Sequence, residues 1–268
     1  MKLSAVIIAV NEESIIEGAI ASCAFADEVL VVDGGSTDGT VHRAKLAGAR
    51  IVERPFDDFA RQRTFALAQA RGEWVLFVDA DERVSRELHA EVNTVLRDEP
   101  SADCYTVPRR NMALGQWLDW HFGGADAPRR LVRRDLARYP EARVHEVLEV
   151  TTGRYGALKE HLVHLTHRSV GDLVDKINRY AELEAADAVG RGARQPSTHS
   201  ILASFPKSFW RYWRSGLRKE GTVGAIEAVL LAFNRTLVEI KIWERHRNLP
   251  ARYAEAEVAL QDDGDVAR

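Results

Sequence analysis

Three carboxylates fall within four residues at Asp79-Ala80-Asp81-Glu82. Two acidic side chains one residue apart can hold a hard divalent cation through their oxygens, and that cation can hold a diphosphate. The same residues could instead cap the helix that the sequence predicts from near Val84, where carboxylates favour the positive helix end. These residues alone leave both readings open. The five residues before them, Trp74–Val78 (WVLFV), are apolar on both faces, which suits an interior strand of a covered sheet. Ligands of open α/β sheets collect beyond the carboxyl ends of such strands.

Other polar groups sit at comparable places. The apolar run Leu3–Val10 stops at Asn11, and Glu28–Val32 stops at Asp33-Gly34-Gly35-Ser36-Thr37-Asp38-Gly39-Thr40. A glycine-rich turn of this kind brings backbone N–H groups close to a ligand, and Asp33 could accept a hydrogen bond from a ribose or a base. It is not a G-x-G-x-x-G fingerprint, which disfavours a dinucleotide fold. Arg61, Gln62 and Arg63 open a predicted helix, where they could meet a diphosphate or lie in solvent.

The elements that must position these groups alternate. Strands at Leu3–Val10, Glu28–Val32, Arg50–Glu53 and Trp74–Val78 are separated by helices at Glu12–Cys23, after Ser36-Thr37-Asp38 to about Ala47, and at Phe59–Ala70. That order predicts an α/β fold with a mostly parallel, doubly covered sheet, its polar strand ends on one edge. The chain of 268 residues, 46% hydrophobic and 29% charged, has the composition of a soluble globular protein. A net charge of −3 argues against general nucleic-acid binding. Cys23 and Cys104 make no ligand pattern and fit a reducing, cytoplasmic setting. The opening apolar run is too short for a signal peptide, and no run is long enough to span a membrane.

The middle of the chain, Tyr105–His145, is rich in arginine and tryptophan. It carries Arg109-Arg110-Asn111, then Trp117, Trp120 and Phe122, then Gly123-Gly124 and Arg129-Arg130-Leu131-Val132-Arg133-Arg134. Arginine with aromatic rings suits a sugar or an anionic acceptor, or else packs on the sheet. The aromatic segment 117–122 is a candidate lid. His161, His164 and His167 recur every third residue, but without cysteine partners a zinc site is disfavoured. A helix is predicted from Val170 to about Val189, and Gly190–Ser200 reads as a linker. Phe205–Lys219 (FPKSFWRYWRSGLRK) has five basic residues and no acid from Lys207 to Lys219. On a helix it places Trp210, Trp213 and Leu217 beside those cations, as interfacial helices do. The apolar segment Ala225–Trp243 could pack on it, enter the interface or form an oligomer contact. Residues 251–268 are polar and read as a frayed end.

AVIIAVNEE, VLVVDGGSTDGT and EWVLFVDADE, in this order and spacing, resemble the first half of family 2 glycosyltransferases of the GT-A fold. The resemblance covers roughly residues 3 to 185. It implies an inverting hexosyl transfer from a nucleotide sugar, UDP-hexose foremost, assisted by Mg²⁺ or Mn²⁺. It makes Asn11, Glu12 and Asp33 nucleoside contacts, Asp79 and Asp81 metal ligands that touch the diphosphate, and Arg63 a donor-side residue. Many members carry an Arg-Asn pair there; this chain has Thr64 after Arg63. The R-L-x-R-R … V-H-E … H arrangement is similar to the branch of lipopolysaccharide-core glucosyltransferases and enzymes with lipid-linked acceptors. That likeness implies Arg130 at the substrate, Glu146 as catalytic base and His164 as a further metal ligand. The expected organisation is a transferase domain over 1–189 (nucleotide-sugar half 1–104, acceptor half 105–189), followed by a linker and amphipathic helices over 190–268. The expected place is the cytoplasmic face of the inner membrane. A sugar nucleotidyltransferase, or a non-catalytic sugar-nucleotide or membrane scaffold protein, remains the alternative; the acidic Glu12-Glu13 after the first strand disfavours the former.

Overall fold

The computed structural model describes residues 1–120, 126–139, 148–249 and 253. It divides into two compact units, Met1–Arg168 and Ser169–Arg268. The first begins with the predicted alternation: β1 (Leu3–Ala9), α1 (Ile16–Ser22), β2 (Glu28–Asp33), α2 (Thr40–Leu46), β3 (Arg50–Glu53), α3 (Phe59–Gln69) and β4 (Trp74–Asp79). β1 lies between β2 and β4, and β3 flanks β2, all parallel. Alternate residues of each strand feed two separate cores. Leu3, Ala5, Ile7, Trp74, Leu76 and Val78 pack on one face with Ile16 and Ile20. Val6, Leu30, Val32, Val75 and Phe77 pack on the other with Ala66 and Leu67. Burial on both faces is why these strands read as unbroken apolar runs.

After β4 the structure decides what the acidic turn does. The helix expected near Val84 begins at Arg86. A short strand β5 (Glu82–Val84) intervenes, and α4 (Arg86–Arg97) is capped by Ser85, whose side chain accepts from the Leu88 N–H at 3.1 Å. The acidic residues of the turn are therefore not the helix cap.

The segment after α4 holds more strands than its irregular sequence predicted: β6 (Cys104–Thr106), β7 (Arg109–Ala113), β8 (Gln116–Leu118), β9 (Arg129–Arg133), β10 (Ala137–Arg138), β11 (Glu149–Val150), β12 (Tyr155–Ala157) and β13 (Leu162–His167). Most are two to five residues long, too short to show the period that marks longer strands. The main sheet runs β12-β6-β9-β4-β1-β2-β3, with β9 antiparallel to both neighbours. A second sheet runs β5-β13-β7-β8. This mostly parallel, covered sheet is the α/β arrangement that the alternation predicted.

The second unit is helical: α5 (Val170–Gly190), α6 (Thr198–Ser215) and α7 (Gly221–Arg247). The expected boundary after residue 189 moves upstream, because Ala181 and Ala185 of α5 pack on Val238 and Ile242 of α7. The linker shrinks as well, since α6 starts at Thr198 and continues through Pro206. The carbonyl that Pro206 cannot serve belongs to Leu202, which is exposed, so solvent can take that bond. Apart from Tyr253, the expected frayed end over 251–268 lies outside the described residues.

Candidate active site

Strand register sets the first part of the site. Ile8 pairs with Asp79 and Ala9 with Asp33, so both carboxylates flank the carboxyl end of β1, two or three residues before Asn11. The loops after β1 and β2 are stitched together. Asn11, in the left-handed region at φ 57°, accepts through Oδ1 from the Thr37 N–H at 2.8 Å. The Ser36 hydroxyl accepts from the Asn11 N–H at 2.9 Å, and Thr40 Oγ1 from the Glu12 N–H at 2.8 Å. Asp33 Oδ2 accepts from the N–H groups of Gly35 and Ser36, both at 2.9 Å. Its Oδ1 is buried with no hydrogen-bond partner. A Cβ on Gly34 would stand 2.4 Å from Val10 Cγ2, so only glycine lets this turn come so close to β1.

Asp79 and Asp81 go different ways. Asp79 is gripped by Arg130, through Nη1 at 3.2 Å and through Nη2, and Arg63 Nη2 approaches at 3.4 Å. Burial alone would raise its pKa, but the charges of Arg130 and Arg63 outweigh burial and hold it well below the usual carboxylate range. Arg130 Nη2 also reaches Glu82 Oε1 at 2.7 Å, and Arg109 Nη1 reaches the same oxygen at 3.4 Å. Glu82 is fully buried; burial and neighbouring Asp79 push its pKa up against the pull of both arginines.

Arg130, expected at the substrate, is only 3% exposed and has both terminal nitrogens on carboxylates. Its place is beneath the site, as a positioning residue. Of the cations opening α3, Arg61 is exposed and pairs with Asp57 and Asp58, whereas Arg63 turns to Asp79.

Asp81 instead meets His164. Glu82, His164, Asn111 and Leu118 form one row across the second sheet and so share a face. On that face His164 Nε2 lies 3.3 Å from Asp81 Oδ2, and His164 Nδ1 lies 2.7 Å from Asn111 Oδ1. The roles in this chain follow from its far end. Asp126 is held by Arg109 through two bonds of 3.0 and 2.6 Å, and an ionised carboxylate can only accept. Burial would raise its pKa, yet the Arg109 contact lowers it overall. Asn111 Nδ2 therefore donates to Asp126 Oδ2 at 3.3 Å, which turns Asn111 Oδ1 toward the histidine. His164 Nδ1 must carry the proton, and in the neutral ring Nε2 presents a lone pair to Asp81. Two acceptors facing each other call for a proton or a cation between them.

A carboxylate oxygen and an imidazole nitrogen suit Mn²⁺ and related divalent ions. Their 3.3 Å separation is near the edge of about 3 Å between neighbouring ligands held about 2.1 Å from one cation. The donor set fits such an ion through Asp81 and His164. Asp79 is engaged instead by Arg130 and Arg63, and among the described residues no three His, Cys, Asp or Glu side chains converge as a ready metal cluster.

Trp117 stacks against Arg110, whose guanidinium carbon lies 4.4 Å from the ring centroid. By strand alternation that pair stands on the face opposite His164, which takes Trp117 away from the expected lid. Phe122, Gly123-Gly124 and Val144-His145-Glu146, including the expected base, lie outside the described residues. Sequence reasoning did not single out Asn111 and Asp126 as site residues. The period of two in Arg109 and Asn111 was the available signal, though only the pairing of β7 with β13 brings it to His164.

A model described as Glycosyl transferase family 2 matches residues 4–153. The lipopolysaccharide core biosynthesis glycosyltransferase LpsC of Rhizobium meliloti (strain 1021) is 33% identical over 254 residues, covering 92% of this chain and 93% of that protein. An uncharacterized glycosyltransferase of Rickettsia prowazekii (strain Madrid E) is 29% identical over 252 residues, covering 88% and 85%. Among solved structures, S. aureus TarS 1-349 aligns over 92% of each chain at 18% identity, with a TM-score of 0.48. With the family model spanning more than half of the sequence and LpsC aligned along nearly all of it, this chain belongs to glycosyl transferase family 2.

Proposed function

We propose that the chain transfers a hexose from a nucleotide sugar, UDP-hexose foremost, to a lipid-linked or lipopolysaccharide-core glycan, with inversion and with Mg²⁺ or Mn²⁺ bound. The observation that carries this reading is the pairing of Asp81 with a His164 whose Nδ1 is committed to Asn111. Asp81 and His164 would hold the cation, which when bound offsets the negative charge on the departing diphosphate. The buried, unpartnered Oδ1 of Asp33 suits an N–H of the nucleobase, with Asn11 and Glu12 beside it. Arg63 and Arg130 keep Asp79 ionised and fixed at the strand end.

In the transfer, the acceptor oxygen forms its bond to the anomeric carbon from the side opposite the diphosphate as the carbon–diphosphate bond breaks. The hydroxyl proton passes to a base, for which the family resemblance nominates Glu146. The LpsC relationship supports a lipopolysaccharide-core acceptor and, with it, work at the cytoplasmic face of the inner membrane.

The test is thermal stabilisation by UDP-sugars with and without Mn²⁺, followed by turnover. The wild type should shift only when sugar nucleotide and metal are both present, by the equivalent of about 2.7 kcal/mol at a hundredfold excess over Kd. Asp81→Ala should lose that metal-dependent shift and its transfer activity while keeping its fold. Full turnover of Asp81→Ala at saturating donor and Mn²⁺ would overturn the reading.

A further inference from the structure

Beside the face it buries, helix α6 carries two chemically unlike strips, one aromatic, with Phe209 and Trp213 half-buried, and one basic and exposed. Ser208 and Tyr212 point into the helical unit. Along one flank Phe205, Phe209 and Trp213 form a ladder of nearly parallel rings, with centroids 6.4 and 6.0 Å apart. Trp210 leans edge-on against Phe209 and is 56% exposed, and Leu202 is 72% exposed. Along the other flank, and in the turn that follows, Lys207, Arg211, Arg214, Arg218 and Lys219 are all exposed. No acidic residue occurs from Thr198 to Lys219, although the whole chain carries a net charge of −3.

Aromatic surface left in water is unfavourable, and so is a strip of cations without counter-charges. A surface with anionic groups above an apolar layer relieves both. Among the described residues no helix is long and apolar enough to cross a membrane, so the fitting geometry is a helix lying along the surface.

We propose that α6 docks on an anionic phospholipid surface, with the Phe205–Phe209–Trp213 ladder and Trp210 at headgroup level and the cations on lipid phosphates. The charge complementarity selects this occupant: the basic strip sits on an otherwise net-acidic chain, and the rings beside it have no use against a purely polar polyanion. The inference rests on, and gives a surface to, the reading of an acceptor presented at a membrane. The binding readout does not depend on turnover, so either can fail without the other.

The experiment is flotation of the full chain with vesicles of phosphatidylglycerol and phosphatidylcholine, against phosphatidylcholine alone. Binding should require the anionic lipid and weaken as salt is raised. Each cation near the surface is worth about fivefold in partitioning, so Lys207→Gln/Arg211→Gln/Arg214→Gln should bind about a hundredfold more weakly. That variant should retain its circular dichroism and its transfer to a water-soluble acceptor. Brominated lipid should quench tryptophan emission, and Trp210→Phe should remove a large part of the quenching. Failure of the wild type to float with anionic vesicles, or equal binding by the triple variant, would overturn the proposal. Displacement by RNA at equal charge, or concentration-dependent dimerisation blocking the face, would do the same.

Discussion

The geometry makes its sharpest demand on Asn111. Replacing it with leucine keeps the side-chain volume and removes the acceptor that fixes the His164 proton on Nδ1. The lost bond, 2.7 Å long and partly buried, is worth about 1 kcal/mol. A second cost follows. With Nδ1 released, the ring can carry its proton on Nε2 and donate to Asp81 Oδ2 at 3.3 Å, a bond to a charged acceptor worth about 1.5 kcal/mol. That bond occupies both candidate ligand atoms, so it competes directly with a cation. The Asn111 bond is present with and without the cation, so only the competing bond enters the Mn²⁺ dissociation constant: about 1.5 kcal/mol, or about tenfold, at the low end of the tenfold to about hundredfold range usual for groups that orient metal ligands. Calorimetric titration of Mn²⁺ in the presence of UDP measures the affinity, and nitrogen-detected NMR of the His164 ring reads the tautomer independently of activity. The wild type should show Nδ1–H and Asn111→Leu a shift toward Nε2–H. Unchanged Mn²⁺ affinity in Asn111→Leu, in a protein whose His164→Ala variant loses it, would refute the argument.

Two further outcomes concern the charges that support the site. Glu82→Ala leaves buried Arg130 with Asp79 alone and strips the Asp79 N–H of its acceptor at 2.9 Å. The loss should be about 3 kcal/mol in urea unfolding, the low end for a broken buried pair, because both arginines keep another carboxylate; a loss below about 1 kcal/mol would contradict the network. Asp103 is buried and takes two bonds of 2.8 Å from Arg154 and one of 2.6 Å from Thr152, and the Arg154 contact holds its carboxyl below the ordinary value. A depressed folded pKa stabilises above the unfolded value near 3.9, and that stability is lost as pH falls toward the folded value. Asp103→Asn should therefore cost about 1 kcal/mol at neutral pH, discounted because Arg154 is half exposed, and the gap should close in acid. A gap that does not change with pH would show that the charge is not its source.

How much of this was legible in the sequence depended on how a segment is buried. β1, β2 and β4 are covered on both faces, so their apolar runs and polar ends could be read directly, and Asn11, Asp33 and Asp79 fall on one edge as the pattern required. β5, β7 and β8 carry three to five residues each, too few to show a period. Their pairing is set by contacts many tens of residues apart, and no local signal encodes that. Arg130 shows the same limit. Its type suggested an anionic ligand, and only its burial shows that the anions it serves belong to the protein itself. The start of α4 was legible to within two residues, but its cap was not: Ser85, not the acidic turn, starts the helix.

Those limits meet in the DAD turn. Read along the chain, Asp79 and Asp81 are one motif with two equivalent carboxylates. In three dimensions Asp79 ends β4 of the main sheet, while Asp81 passes its carbonyl to the Leu165 N–H at 2.9 Å and enters the second sheet. One residue of spacing thus places the two side chains under different masters. The Asp79 carboxylate is neutralised by buried Arg130 and half-buried Arg63, and it cannot rotate to a ligand without leaving Arg130 with Glu82 alone. Asp81 faces an imidazole whose proton has been drawn to the far nitrogen. The spacing serves to bridge two sheets as much as to chelate: Asp79 fixes the end of β4, and Asp81 is carried across to the strand that holds His164. A third carboxylate does the bridging, since Glu82 accepts from the Asp79 N–H while sitting in register with His164. Glu82 therefore ties the position of Asp81 to that of Asp79, and its replacement should disturb both sheets where β4 passes into β5.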